Sequence, residues 1–128
     1  MTDFENKPIA WMGSSLKDLK AFPTAVQRDI GHALWVAQEG GMPYNAKPLK
    51  GYQGAGVLEI LDHHDGDTYR AVYTVRFAGV VYVLHVFQKK SKRGIATPKQ
   101  DLDLIESRLK QAEANYAEYL ASRKDGGR

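Results

Sequence analysis

Between residues 23 and 38 the apolar positions Val26, Ile30, Ala33, Leu34 and Ala37 recur at three- and four-residue intervals, the mark of one buried helix face. Pro23 opens this segment, where its missing N–H is no loss, and Gly40-Gly41 ends it. Upstream, residues 8–13 (PIAWMG) suit a short strand. Ser15 then caps a helical turn and a half, with Asp18 at the capping-box position and Leu16, Leu19 and Phe22 on one side. The two helical segments predict an α-hairpin. Beyond residues 42–56, rich in Gly and Pro, the pattern predicts three strands: 57–61, 69–77 and 80–88. An Asp-Gly turn within HHDGD (63–67) joins the first two, and Ala78-Gly79 reverses the chain into the third. Thr97-Pro98-Lys99-Gln100 reads as a capping box with proline at the first helical position. Leu102, Ile105, Leu109, Ala112 and Tyr116 then stripe a long final helix. The predicted order is β-α-α-β-β-β-α. This is an α+β domain, a small antiparallel or mixed sheet with an N-terminal α-hairpin and a C-terminal helix, the helices expected on one face.

Composition narrows the picture. At 128 residues, 43% hydrophobic and 26% charged, the chain reads as one globular domain over 1–128, with 122–128 (SRKDGGR) a frayed tail. It has no cysteine, which excludes disulfides, thiolate zinc sites and a cysteine nucleophile. The opening MTDFENKPIAW lacks the charged-then-apolar pattern of a signal peptide. No apolar run approaches the about 20 residues a membrane helix needs, so a soluble, cytoplasmic protein is expected.

Charge changes the picture most. The net charge is +3, but it is unevenly spread. From Thr68 to Gln100 there are seven cations (Arg70, Arg76, Lys89, Lys90, Lys92, Arg93 and Lys99) and no acid, while the remaining 11 cations face all 15 acids. Segregation of this kind favours a localised anion-binding surface. In TYRAVYTVRF, alternation groups Tyr69, Ala71, Tyr73, Val75 and Phe77 on the core face and leaves Arg70 and Arg76 on the open one. Lysines at the end of the last strand, with Lys47 and Lys50 from the long loop, complete a basic set around one concave surface. The plain structural alternative for Arg70 is an ion pair with Glu59 on the neighbouring strand. For His85 it is a packing role, set against candidate proton transfer. In the last strand both parities are apolar, so the face on which His85 and Lys89 lie stays open.

Two tempting motifs carry little. His63-His64 among Asp62, Asp65 and Asp67 matches no metal-ligand spacing and suits a turn. GYQGAG lacks the Gly-Lys-Ser/Thr and the following helix of a phosphate loop.

The stretch KPLKGYQGAGVLEILDHHDGDTYRAVYTVRFAGVVYVLHVFQKKSKRGIATPKQDLDLIESRLKQA resembles the RelE/ParE toxin superfamily of bacterial type II toxin–antitoxin systems, within it the HigB-like, phage-associated branch. LKG with GVLEI, YRAVYTVRF, LHVFQKK and the TP opening an acidic last helix carry the likeness. The resemblance implies a toxin that enters the ribosome and cuts mRNA, needs no metal or other cofactor, and is silenced by a cognate helix-turn-helix antitoxin. It places the family's mid-strand arginine on Arg70 and the strand-end basic position on Lys89 or Lys90. The loop lysine falls on Lys50, with Lys47 as second candidate. The tyrosine that some relatives carry on the last helix has no clear counterpart, because Tyr116 lies far along it, and the general base stays open.

RNA cleavage by attack of its own 2′-hydroxyl asks for in-line positioning, charge stabilisation and two proton transfers. Arg70 offers a planar fork, and Lys89 and Lys90 offer point charges; crowding among cations also disfavours the ammonium form and suits a lysine to proton transfer. Arg76, Lys92 and Arg93 are expected to hold RNA, and Tyr44 and Tyr52 are candidate stacking platforms. The competing readings are a ParE-like inhibitor of DNA gyrase and a non-enzymatic nucleic-acid or phage-protein adaptor.

Overall fold

A computed structural model describes residues 6–52, 55–89 and 97–126, and of Lys89 and residues 124–126 the backbone alone. Strand β1 (Ile9–Trp11) leads into helices α1 (Ser15–Lys20) and α2 (Thr24–Gln38). Strands β2 (Ala46–Pro48), β3 (Val57–His64), β4 (Asp67–Thr74) and β5 (Val81–Lys89) follow, then helix α3 (Lys99–Gly126). The five strands form one sheet in the order β1-β5-β4-β3-β2. β1 runs parallel to β5, and every other neighbouring pair is antiparallel. The expected α+β class and element order hold, with one short strand, β2, added.

The five predicted apolar positions of α2 are all buried, against Leu58 and Ile60 of β3 and Tyr69, Ala71 and Tyr73 of β4. α3 buries Ile105, Leu109 and Ala112 against Val57, Val72, Tyr82 and Leu84 on the other side of the sheet. The helices therefore cover both faces, where one was expected. This explains why β5 is apolar at both parities: its Val81, Val83 and Val86 face the hairpin, while Tyr82 and Leu84 face α3. Fully buried residues such as Ile30, Ile60 and Ile105 each contribute about 1.5–3 kcal/mol.

Local chemistry sets the boundaries. Asp65 (φ 50°) and Gly66 (φ 84°) form the two-residue turn between β3 and β4, the left-handed pair that tight hairpins favour. β3 consequently runs to His64, further than predicted. β4 stops at Thr74, short of the predicted Phe77, because the Thr74 hydroxyl donates to Gly56 O (2.7 Å) and accepts from Arg76 N (3.0 Å), ending the ladder. The cap of α1 falls on Ser14, whose Oγ donates to the Asp18 carboxylate (2.8 Å), while Ser15 is fully buried with its Oγ 3.4 Å from Val83 O. Both prolines stand one place earlier than predicted. Pro23 caps α2 with ψ 148°, and the Pro98 carbonyl accepts the N–H groups of Asp101 and Leu102.

β5 carries a bulge. Val72 pairs with His85 but Tyr73 pairs with Val83, leaving Leu84 as the extra residue. Its carbonyl accepts a hydrogen bond from Arg108 Nη1 of α3 (2.9 Å). The bulge resets the alternation, so His85 and Phe87 continue on the α3 face after Leu84. Among the described residues, no helix is long and apolar enough to cross a membrane.

Candidate functional site

The register lines up Lys47, Glu59, Val72 and His85 in one row across β2, β3, β4 and β5. The row beside it holds Leu61, Arg70 and Phe87. Directly paired residues share a face, so all seven belong to the α3 side. Glu59 and His85 are each a diagonal neighbour of Arg70, at a separation of about 7 Å. Arg70 Nη1 donates to Glu59 Oε2, and the two side chains are 5% and 3% exposed. The expected open face for Arg70 is thus corrected: the arginine is buried and ion-paired, in the arrangement that served above as its structural alternative. A buried charge pair breaks even only with good geometry, and loss of one partner strands the other.

His85 lies beside it, 7% exposed, with its ring stacked on Phe87 at 4.4 Å between centroids and 15° between planes. Its Nε2 is 2.8 Å from Asp101 Oδ1, in the first turn of α3. Asp101 was not singled out in the sequence. Only its place in the first turn of the final helix could have drawn attention, and a sequence separation of 16 hides the contact.

The other cations disperse. Lys47 is exposed on β2, and Lys50 is exposed in the turn after it. Arg76 lies beyond β4, at the opposite end of the strand from the β3–β4 turn, exposed, with Nε donating to Ala55 O (3.0 Å). The structure therefore does not bring Arg76 together with Arg70. Lys89 closes β5 opposite Thr68, at the same end of the sheet as Arg70. Lys90, Lys92 and Arg93 lie outside the described residues, as does the Lys89 side chain. Lys99 pairs with Asp103 (3.0 Å) on the surface of α3.

The two loop tyrosines part ways. Tyr52 donates its hydroxyl to Glu106 of α3, and burial, followed by this hydrogen bond and then the Glu106 charge, pushes its pKa up to about 12. It tethers the loop to the helix. Tyr44 is 96% exposed. Tyr116 donates to Ala78 O (2.8 Å), far from Arg70 in the β4–β5 turn. On the hairpin face, burial and then the neighbouring Asp29 carboxylate raise Asp62 from the ordinary 3.8 to about 6. His63 Nδ1 lies 3.1 Å from Thr68 Oγ1.

Residues 17–110 match the family of the phage-derived Gp49-like protein (DUF891). The chain belongs to that family. Its fold is that of the RelE toxins: a structure of an Escherichia coli RelE mutant in the free state superposes with a TM-score of 0.53, at 17% identity over 84% of this chain and 98% of that one. The toxin–antitoxin complex RelBE2 from Mycobacterium tuberculosis gives 0.46, at 16% identity over 71% of this chain and 100% of that one. No curated protein matches the sequence significantly. The expected kinship with the RelE/ParE group thus holds for this Gp49-like chain in family and fold.

Proposed function

We propose that this Gp49-like protein is the toxin of a type II toxin–antitoxin pair and an endoribonuclease that cuts mRNA on the ribosome. The observation that carries the reading is the placement of a fixed guanidinium, a carboxylate and an imidazole side by side on one face of the sheet, at the end where Lys89 stands. In the proposed reaction the ribose 2′-oxygen attacks the adjacent phosphorus and the bond to the 5′-oxygen breaks. The products are a 2′,3′-cyclic phosphate and a 5′-hydroxyl. Arg70, oriented by Glu59, stabilises the charge that builds on the phosphoryl oxygens, with Lys89 and Lys90 as further cations. Because Arg70 is buried, the RNA reaches it only as the groups above it move aside. His85 transfers a proton. Lys47, Lys50, Arg76, Lys92 and Arg93 hold RNA or ribosomal phosphates, and the partner that silences the toxin is a helix-turn-helix antitoxin.

Expression in bacteria followed by primer extension on cellular messages tests the proposal. Growth arrest with new 5′ ends inside translated frames is the expected result, abolished by Arg70→Ala and strongly reduced by Lys89→Ala. Full toxicity in both variants would end it. Unimpaired cell-free translation with accumulating gyrase–DNA cleavage complexes would install the gyrase-inhibitor reading in its place.

A further inference from the structure

The geometry points to Asp101 as a positioning residue that fixes the tautomer of His85 and leaves its Nδ1 as the proton acceptor beside Arg70. This rests on the nuclease reading above and assigns that site its general base. Three observations converge. Asp101 Oδ1 stands 2.8 Å from Nε2, and an ionised carboxylate only accepts, so the proton of this bond sits on Nε2. Nδ1 is buried and, among the described residues, has no hydrogen-bond partner. A buried polar atom without a partner calls for an explanation, and an acceptor kept for a substrate hydroxyl is one. Third, stacking on Phe87 and burial beside Val72 fix the ring plane, so its nitrogens cannot exchange places freely.

Carboxylate, imidazole and substrate hydroxyl then form a line of the kind that hydrolases use to activate an alcohol. The 2′-hydroxyl proton passes to Nδ1 as the 2′-oxygen bonds to phosphorus. The imidazolium so formed carries protons on both nitrogens and faces the Asp101 charge. The departing 5′-oxygen takes its proton from water. Asp101 comes from α3 and His85 from β5, so the site is complete only when the helix is docked.

Nitrogen-15 NMR of the labelled full-length protein at neutral pH tests the tautomer directly. The expected spectrum shows His85 protonated on Nε2 and bare on Nδ1; a proton on Nδ1, in either the neutral or the charged ring, overturns the inference whether or not any variant folds. Kinetics supply a second measure. In single-turnover cleavage on message-programmed ribosomes, Asp101→Asn should lower the maximal rate by ~10²-fold or more. The half-saturating toxin concentration should stay within about twofold, since Asp101 does not touch RNA. A wild-type protein that cuts no message defeats the nuclease reading itself. A wild-type protein that cuts, with an Asp101→Asn variant that cuts equally fast, defeats only the role given to Asp101.

Discussion

Arg70 and Glu59 are worth more as a pair than either is alone, because each is buried against the other. Arg70→Ala should therefore destabilise the fold by about 3 kcal/mol, the cost of leaving a buried carboxylate without its counter-charge. The double variant Glu59→Leu with Arg70→Met should recover most of that stability in urea denaturation and none of the cleavage. If instead it restored cleavage, neither residue would belong to the chemistry. Asp62 makes the opposite case. Its carboxyl is raised to about 6 in the folded protein, so between pH 4 and 6 the folded chain holds a proton that the unfolded chain has released. Stability then falls as pH rises through that window. Asp62→Asn should be more stable than wild type at pH 7 by about 1 kcal/mol after solvent screening, with the gain vanishing below pH 4, as urea midpoints at the two values would report. The Arg70–Glu59 pair was readable from strand alternation, since both residues occupy the same parity on adjacent strands. The His85–Asp101 contact was not, because it joins a strand to a helix across a segment whose path no local pattern specifies.

Elements were legible wherever a periodic apolar stripe ran long enough. The α2 stripe is buried in full, and the α3 stripe is buried at its centre and partly buried at its ends. β2 escaped notice because three residues, Ala-Lys-Pro, are too few to show a period and proline argues against a strand except at an edge, which is where it lies. The bulge at Leu84 escaped too, since one inserted residue in a strand covered on both faces leaves the hydrophobic pattern unbroken. That bulge depends on α3 through the Arg108 bond to the Leu84 carbonyl, and Arg108 lies over Gly13, where an added Cβ would stand 2.6 Å from the guanidinium. Arg108→Ala should cost about 1.5 kcal/mol. Gly13→Ala should cost about 1 kcal/mol, chiefly through its positive φ of 54°, since the long arginine can swing away. Urea titration of each variant measures both.

For the whole molecule, the charge asymmetry of the sequence survives in altered form. Of the seven cations in its acid-free block, Arg70 is neutralised by Glu59 and Lys99 is paired with Asp103, while Arg76 remains exposed at the far end of β4. Among the described residues, these three cations therefore do not form one basic cluster. Under the proposed function, ribosome association should weaken steeply with salt, and replacing exposed Lys47 or Arg76 by alanine should reduce the slope of log affinity against log salt by about 1 each, as filter binding over a salt series would show. An unchanged slope would remove that residue from the RNA-binding set.

The first strand of the chain finds its place only late. Ile9 pairs with Val81, and the helix that presses on the opposite side of the sheet begins at Lys99. Contacts so distant along the chain form slowly and demand nearly all of the polypeptide. A growing copy still threaded through the machine that makes it is thus unable to bring His85 of β5 against Asp101 of α3, and the proposed site comes into being only once synthesis is all but finished.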